Sequence, residues 1–302
     1  MNFLKGLLAT LLTFLLFLSL AAFSTLFVLR STLLDPEFVV AQVKKLDVAA
    51  LAEEVTDFQL SGQVPPEAAF LEEALYSAIA QNEPQLKEQA STAIYSGYDY
   101  LLGKSEKLNV VISLKPIKAD LKDRLWQSFQ QNKENLPLEV AALPPEMLEQ
   151  YFEEFYRQFE AEIPSEFVID ESSIPPEMMK LVDILRENAR YIQTAYYGLI
   201  ALMAVLILGI ILLHRSVKGA TRELGITFLI YGAIEYASVW ATQRYFPSLP
   251  LPDMPTSVQT WLNGLINDLV APMQVLGIGL MAAGAALIIV SIVYPRLRPA
   301  EE

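Results

Sequence analysis

Glu235 is the residue of this sequence whose type and setting most suggest chemistry. It sits in "GAIEYASVW", a carboxylate inside an otherwise apolar run. It precedes Arg244 by nine residues, about 13 Å of helix. An ionisable group at such depth in an apolar helix is costly and faces protein or water, often with a function. Gln274, six residues past Asp268, would lie at about 9 Å on the same scale, and Ser238 and Ser19 are further polar candidates. Two readings stay open. A protonated Glu235 can serve as a hydrogen-bonded contact between helices, or the group can meet an ion, a proton, a quinone or a lipid headgroup. A transport path gathers several such groups, and Leu199–Leu213 carries no polar residue.

Other chemistries find little to work with. The chain has no cysteine, which excludes disulfides, thiolate metal sites and thiol nucleophiles. Its one histidine, His214, stands beside Arg215 and reads as an interfacial residue rather than a base. The acidic pairs at Glu53, Glu72 and Glu153 lack metal-ligand spacing and read as solvated helix faces. No phosphate loop, dinucleotide fingerprint or nucleophile elbow occurs. We therefore expect no catalytic residue, no metal site and no cofactor. A formal charge of −13 argues against a nucleic-acid partner, whose phosphates need clustered Lys and Arg. No Asn-x-Ser/Thr sequon is present, which agrees with a prokaryotic origin.

The elements that would hold Glu235 are apolar helices. The 302 residues are 53% hydrophobic with mean hydropathy +0.34. Four stretches reach the roughly 20 residues that a bilayer requires. They begin near Leu7, Tyr196, Leu224 and Ala271. The expected class is a mainly α membrane protein with four transmembrane helices. An α-helical extracytoplasmic domain with a small two-stranded β element completes it. Cations set the orientation. Lys5, the Arg215/Lys218/Arg222 loop and Arg296/Arg298 belong on the cytoplasmic side. Tyr196, Tyr197, Trp240, Tyr245 and Trp261 then fall at the outer interface.

The resulting layout places a cytoplasmic N-terminus and first helix in 1–30, the extracytoplasmic helical domain in 31–190 and the second helix in 191–214. A cytoplasmic loop follows at 215–223, then the third helix at 224–242. An extracytoplasmic loop with an amphipathic helix occupies 243–270, the fourth helix 271–294, and a cytoplasmic tail 295–302. "SLA" at Ala21 offers a signal-peptidase cut, but the apolar run continues to Val28, so an uncleaved anchor is expected.

Residues 31–190 hold 14 Lys and Arg against 29 Asp and Glu, a net of −15. That acidity is either a solvating surface or a docking face for a basic partner. "PPE" at Pro65, Pro144 and Pro175 marks helix starts, since proline suits the first turn and Glu the positive helix end. The expected buried faces are Phe70, Leu71, Ala74, Leu75 and Ile79; Met147, Tyr151, Phe155 and Phe159; and Met178, Leu181 and Ile184. Asp35 caps a helix that opens at Pro36. Another helix is expected over Glu83–Leu102, ended by Gly103, and one after Pro116 with Ile117, Leu121, Leu125 and Phe129 inward. "NVVISL" and "EFVID" read as strands that pair with each other. A rod of about 40 residues from Pro175 to His214 would couple the outer domain to the bundle. Val258, Trp261, Leu262, Leu265 and Ile266 share a face that either lies on the membrane or packs under the domain. Gly279/Ala283 and Ala282/Ala286 have the small-xxx-small spacing of close helix packing, within the chain or between copies.

The order "DPEFVVAQVKKLDV", "YDYLLG", "ISLKPIKADL" and a late triple of spans resembles uncharacterised prokaryotic four-span membrane proteins with a large extracytoplasmic helical domain between spans one and two. The resemblance implies the same topology and carries no activity. The one-large-loop, one-small-loop plan is similar to claudin-like proteins, whose Trp and Cys loop signature is absent here. The expected function is non-enzymatic. The outer domain would bind a protein partner or a second copy, as accessory subunit or scaffold, with the lipid bilayer as the other partner. The alternative is small-molecule, lipid or ion binding or transport within the bundle around Glu235. An extracytoplasmic hydrolase ranks third.

Overall fold

The computed structural model describes residues 2–60, 69–131, 138–162, 164–214, 216–248 and 254–297. The chain divides into two compact units. An acidic unit comprises residues 39–186 and 251–262, and a span unit comprises 1–38, 187–250 and 263–302.

The acidic unit is helical, with α2 (Pro36–Lys45), α3 (Val48–Leu60), α4 (Ala69–Leu101), α5 (Lys115–Gln131), α6 (Leu138–Ala141) and α7 (Pro145–Glu162). Its main core joins Ala74 and Ala78 of α4, Leu121, Leu125 and Phe129 of α5, and Leu148, Phe152 and Tyr156 of α7. Residues four apart lie one above another on a helix, so each helix contributes one continuous stripe. Ring contacts fill the middle, with Trp126 and Phe152 centroids 4.9 Å apart. The Tyr156 hydroxyl escapes burial without a partner by donating to Lys118 O at 2.8 Å.

Strands β1 (Asn109–Ser113) and β2 (Glu166–Asp170) pair antiparallel, from Asn109 opposite Asp170 to Ser113 opposite Glu166. The pairing expected between "NVVISL" and "EFVID" is therefore present. Val110, Ile112 and Ile169 face a second core with Tyr100 and Leu108, while Val111 and Val168 stay exposed. Asp170 ends β2 in a tight turn. Its Oδ1 accepts from the backbone N–H groups of Ser172 and Ser173 at 3.0 and 2.9 Å and from both hydroxyls. Those four donors pull its carboxyl down to a pKa of about 2, the serine hydroxyls having the largest effect.

Helix boundaries follow the punctuation. The prolines at 145 and 176 open α7 and α8 (Pro176–His214), each with Glu in the first turn. The "PPE" at Pro65 lies outside the described residues. Glu37 N–H donates to Asp35 Oδ1 at 3.0 Å, the cap expected for α2. Gly103 takes φ +72, and Lys104 N–H reaches back to Asp99 O at 2.8 Å, which closes the end of α4.

Four expectations are corrected. The helices placed at 70–79 and 83–102 are one, because α4 passes through Pro84. The proline forfeits one backbone bond, and the helix is held by its packing on α5 through Ala74 and Ala78. The amphipathic segment and fourth span, divided near Ala271, are likewise one helix, α10 (Thr256–Leu297). Finally, the buried stripe of α7 is Leu148/Phe152/Tyr156; of the residues expected inward, Phe155 packs against this core while Met147 and Tyr151 are exposed. On α8, Met178, Leu181 and Ile184 are exposed, and Met179 and Val182 pack inward instead. One residue is a 100° turn of a helix, and the apolar arcs were wide enough to admit either face. The side chains of Phe70, Leu71 and Phe159 lie outside the described residues.

The span unit contains α1 (Asn2–Ser31), most of α8, α9 (Val217–Tyr245) with a 3-10 turn at Phe246–Ser248, and most of α10. Each of these four helices is long and apolar enough to cross a membrane, so the chain is a multi-pass membrane protein. Leu16 and Leu20 of α1, Leu206 and Ile210 of α8, and Leu224 and Tyr231 of α9 form its core. Leu11, Leu18, Val205, Leu208, Ile234 and Ile289 point outward and are exposed, as a lipid-facing surface requires.

Candidate functional site

Glu235 is buried, with 6% of its surface exposed. Its Oε1 accepts from the hydroxyl of Ser24 on α1. Its Oε2 accepts from the hydroxyl of Tyr231, one turn earlier on α9, at 2.8 Å. A hydroxyl pointing at each oxygen supplies the partners that a buried carboxyl needs. Phe17 of α1 meets the Tyr231 ring edge-on at 5.2 Å and fixes it in place.

A second polar contact lies on the same two helices. Glu223 of α9 accepts from the Thr13 hydroxyl of α1 through Oε1, and its Oε2 lies 2.7 Å from His214 Nε2 at the end of α8. His214 Nδ1 faces Ile210 O at 3.0 Å. Both ring nitrogens thus face oxygen atoms. Glu223 and Glu235 are twelve residues apart, about 18 Å along α9. Since Thr13 pairs with Glu223 and Ser24 with Glu235, α1 and α9 run in the same direction.

Of the residues singled out from sequence, Glu235 is the one placed in this network. Ser238 is exposed and donates to Ile234 O on its own helix at 2.9 Å. Gln274 is half-buried on α10, and Glu235 takes Ser24 and Tyr231 as its partners. Gly279, Ala282, Ala283 and Ala286 face outward, and a Cβ on Gly279 would meet nothing within 4 Å.

Close packing of α9 and α10 falls on other glycines. A Cβ on Gly232 would stand 2.6 Å from Gly277 O, and one on Gly284 would stand 2.7 Å from Gly225 O. The pairs Gly225/Gly284 and Gly232/Gly277 have a seven-residue step on each helix and opposite order, which is the register of an antiparallel pair. Sequence reasoning missed these glycines and the Glu223–His214 pair. The signals were present: Glu223, Thr227, Tyr231 and Glu235 recur every four residues on one face, and glycine recurs at an interval of seven in two spans.

The acidic unit carries a charged cleft and an apolar groove. A cleft of about 760 Å³ between α5 and α7 is lined by Glu146, Glu149, Glu153, Glu154 and Glu160, with Lys122 and Arg157 as its cations. Lys122 pairs with Glu153 at 2.8 Å and Arg157 with Glu154 at 2.6 Å. The hydrogen bond from Lys122 to Glu153 raises the lysine pKa, and that from Arg157 lowers the Glu154 carboxyl. Burial, reinforced by the neighbouring Glu160, Asp123 and Glu153, pushes the Tyr156 phenol up. Glu146 and Glu149 add negative charge beyond those pairs, so the cleft presents a negative face. A groove of about 530 Å³ between α3, α4 and α5 is apolar, lined by Leu51, Leu75, Ile79, Leu86, Ile117 and their neighbours.

The face of α10 carrying Trp261 is settled within this unit. Its indole N–H donates to Gln42 O at 2.9 Å, and Glu54 accepts from Ser257 N–H at 3.0 Å and from its hydroxyl at 2.8 Å. A carboxylate on the first turn of α10 caps free N–H groups and meets the positive helix end.

Among the described residues no group of three His, Asp or Glu side chains is placed to hold a metal ion. No family model matches the chain, and neither a curated protein nor a solved structure matches it.

Proposed function

We propose that this is a non-enzymatic, multi-pass protein of the cell membrane whose helical domain binds a protein partner outside the cytoplasm, as accessory subunit or scaffold. Both termini lie in the cytoplasm in this reading, and residues 31–190 lie beyond the membrane, following the cations of the 215–223 loop. The observation that carries it is the contrast between the two units. The span carboxyls of Glu235, buried, and Glu223, half-buried, are matched by internal partners, whereas the cleft between α5 and α7 is open and keeps excess negative charge. Such a surface suits a basic segment of another protein, through complementary charge.

The test is purification of the full chain in a gentle detergent beside the Glu146→Lys/Glu149→Lys variant. The wild-type chain should retain a stoichiometric companion that the variant loses at unchanged helicity. A wild-type chain recovered alone and monomeric overturns the proposal.

The alternative, ligand binding or transport around Glu235, draws on a buried carboxyl inside a candidate span. The two hydroxyl donors already on its oxygens favour a packing role.

A further inference from the structure

Arg30, in the last turn of α1, lies against two tyrosine rings of α8. Its guanidinium carbon is 4.5 Å from the centre of the Tyr196 ring and 5.0 Å from that of Tyr197. Nη2 donates to the Tyr197 hydroxyl at 3.1 Å. The rings are themselves braced: Tyr196 stacks on Phe23 at 5.2 Å and meets Tyr197 edge-on at 5.4 Å. Among the described residues no carboxylate pairs with Arg30, in a chain where carboxylates outnumber cations 35 to 22.

We propose that Arg30, Tyr196 and Tyr197 bind the phosphodiester headgroup of a membrane lipid. Three features point there. The aromatic rings cover the face of the guanidinium, so the edge donors other than the one given to Tyr197 remain for an anion. A planar fork held in place matches phosphate oxygens two at a time, which a flexible ammonium does not. Depth selects the ligand: Arg30 closes the apolar run of α1, and Tyr196 stands where that of α8 opens. That is the level at which hydrocarbon gives way to headgroups and where tyrosines settle. The site does not depend on partner binding by the acidic unit, nor on which leaflet it faces.

Native mass spectrometry of the delipidated full-length protein, titrated with phosphatidylglycerol, tests the assignment. The first lipid should bind about tenfold more weakly to Arg30→Gln than to wild type, the loss expected for charge-assisted hydrogen bonds. The Tyr196→Leu/Tyr197→Leu variant should weaken it as well. Equal concentrations of inorganic phosphate should leave the lipid in place. Equal lipid affinity in wild type and Arg30→Gln overturns the proposal, and displacement by inorganic phosphate reassigns the site to a soluble anion and overturns the lipid. If Arg30→Gln does not fold, Arg30→Lys decides: it keeps the charge without the fork, and binding as tight as wild type refutes the site.

Discussion

Gly232 of α9 and Gly277 of α10 approach so closely that a Cβ on the first would lie 2.6 Å from the carbonyl oxygen of the second and 2.8 Å from Met281 N. The obstacles are backbone atoms, which cannot swing aside as a side chain tip can. Backbone contact of this kind lets helices associate in lipid, where apolar side chains gain little from leaving the hydrocarbon.

Gly232→Ala should therefore force α9 and α10 apart, at a cost of about 1–3 kcal/mol for overpacking. Gly279→Ala, with open space around it, should be neutral. Thermal unfolding of both variants in the same detergent checks the difference; equal loss in the two would disprove the glycine register.

Glu235→Ala should leave the Ser24 and Tyr231 hydroxyls without their acceptor and destabilise the span unit by about 1–3 kcal/mol. Glu235→Gln keeps an oxygen and should cost less, and Ser238→Ala should change nothing. Detergent melts of the three variants give the ranking. An inert Glu235→Ala would contradict the packing role, and loss of ligand uptake in a stable Glu235→Gln would favour the alternative function.

The turn at Asp170 makes a pH prediction. Its carboxyl is pulled down to a pKa of about 2, from the usual 3.8 of a free aspartate. A depressed acid contributes stability above its unfolded pKa and loses it as pH falls through the folded one. The contribution should be constant above about pH 5 and fade between about pH 4 and pH 2. Acid unfolding of wild type beside Asp170→Asn measures it: the variant should lack this component, and the two curves should converge toward pH 2. Parallel curves would remove Asp170 as the cause.

Orientation has a clean assay because the chain contains no cysteine. Glu106→Cys, in an exposed turn of the acidic unit, should react with a membrane-impermeant maleimide in intact cells. Lys218→Cys, exposed in the first turn of α9, should react only after permeabilisation. The reverse pattern would invert the proposed topology.

Local signals made much of the secondary structure legible. Asp35-Pro36, Pro145, Pro176 and Gly103 act through the backbone of their own turn, so a start or a stop could be read without knowing the neighbours. Long apolar runs likewise gave the four spans, because bilayer thickness sets a length that the sequence alone can meet. The pairing of β1 with β2 was also within reach, since two short β-rich runs had one another as partners.

Rotation, closeness and pairing were not local. Met147/Tyr151 and Leu148/Phe152/Tyr156 have the same four-residue step on α7, and only Trp126 and Phe129 across the core decided which stripe turned inward. Glu235 announced itself as a buried acid, yet its partner Ser24 is 211 residues away, a separation that no periodicity encodes. Small-xxx-small spacing drew attention to Gly279, whereas contact fell on Gly277 because two residues turn a helix by about 200°. Sequence determines which stretches become helix and which become span, through forces acting over a few residues. Which face of each helix is used depends on the volume and hydrogen bonds offered by another helix, and only the assembled structure supplies those.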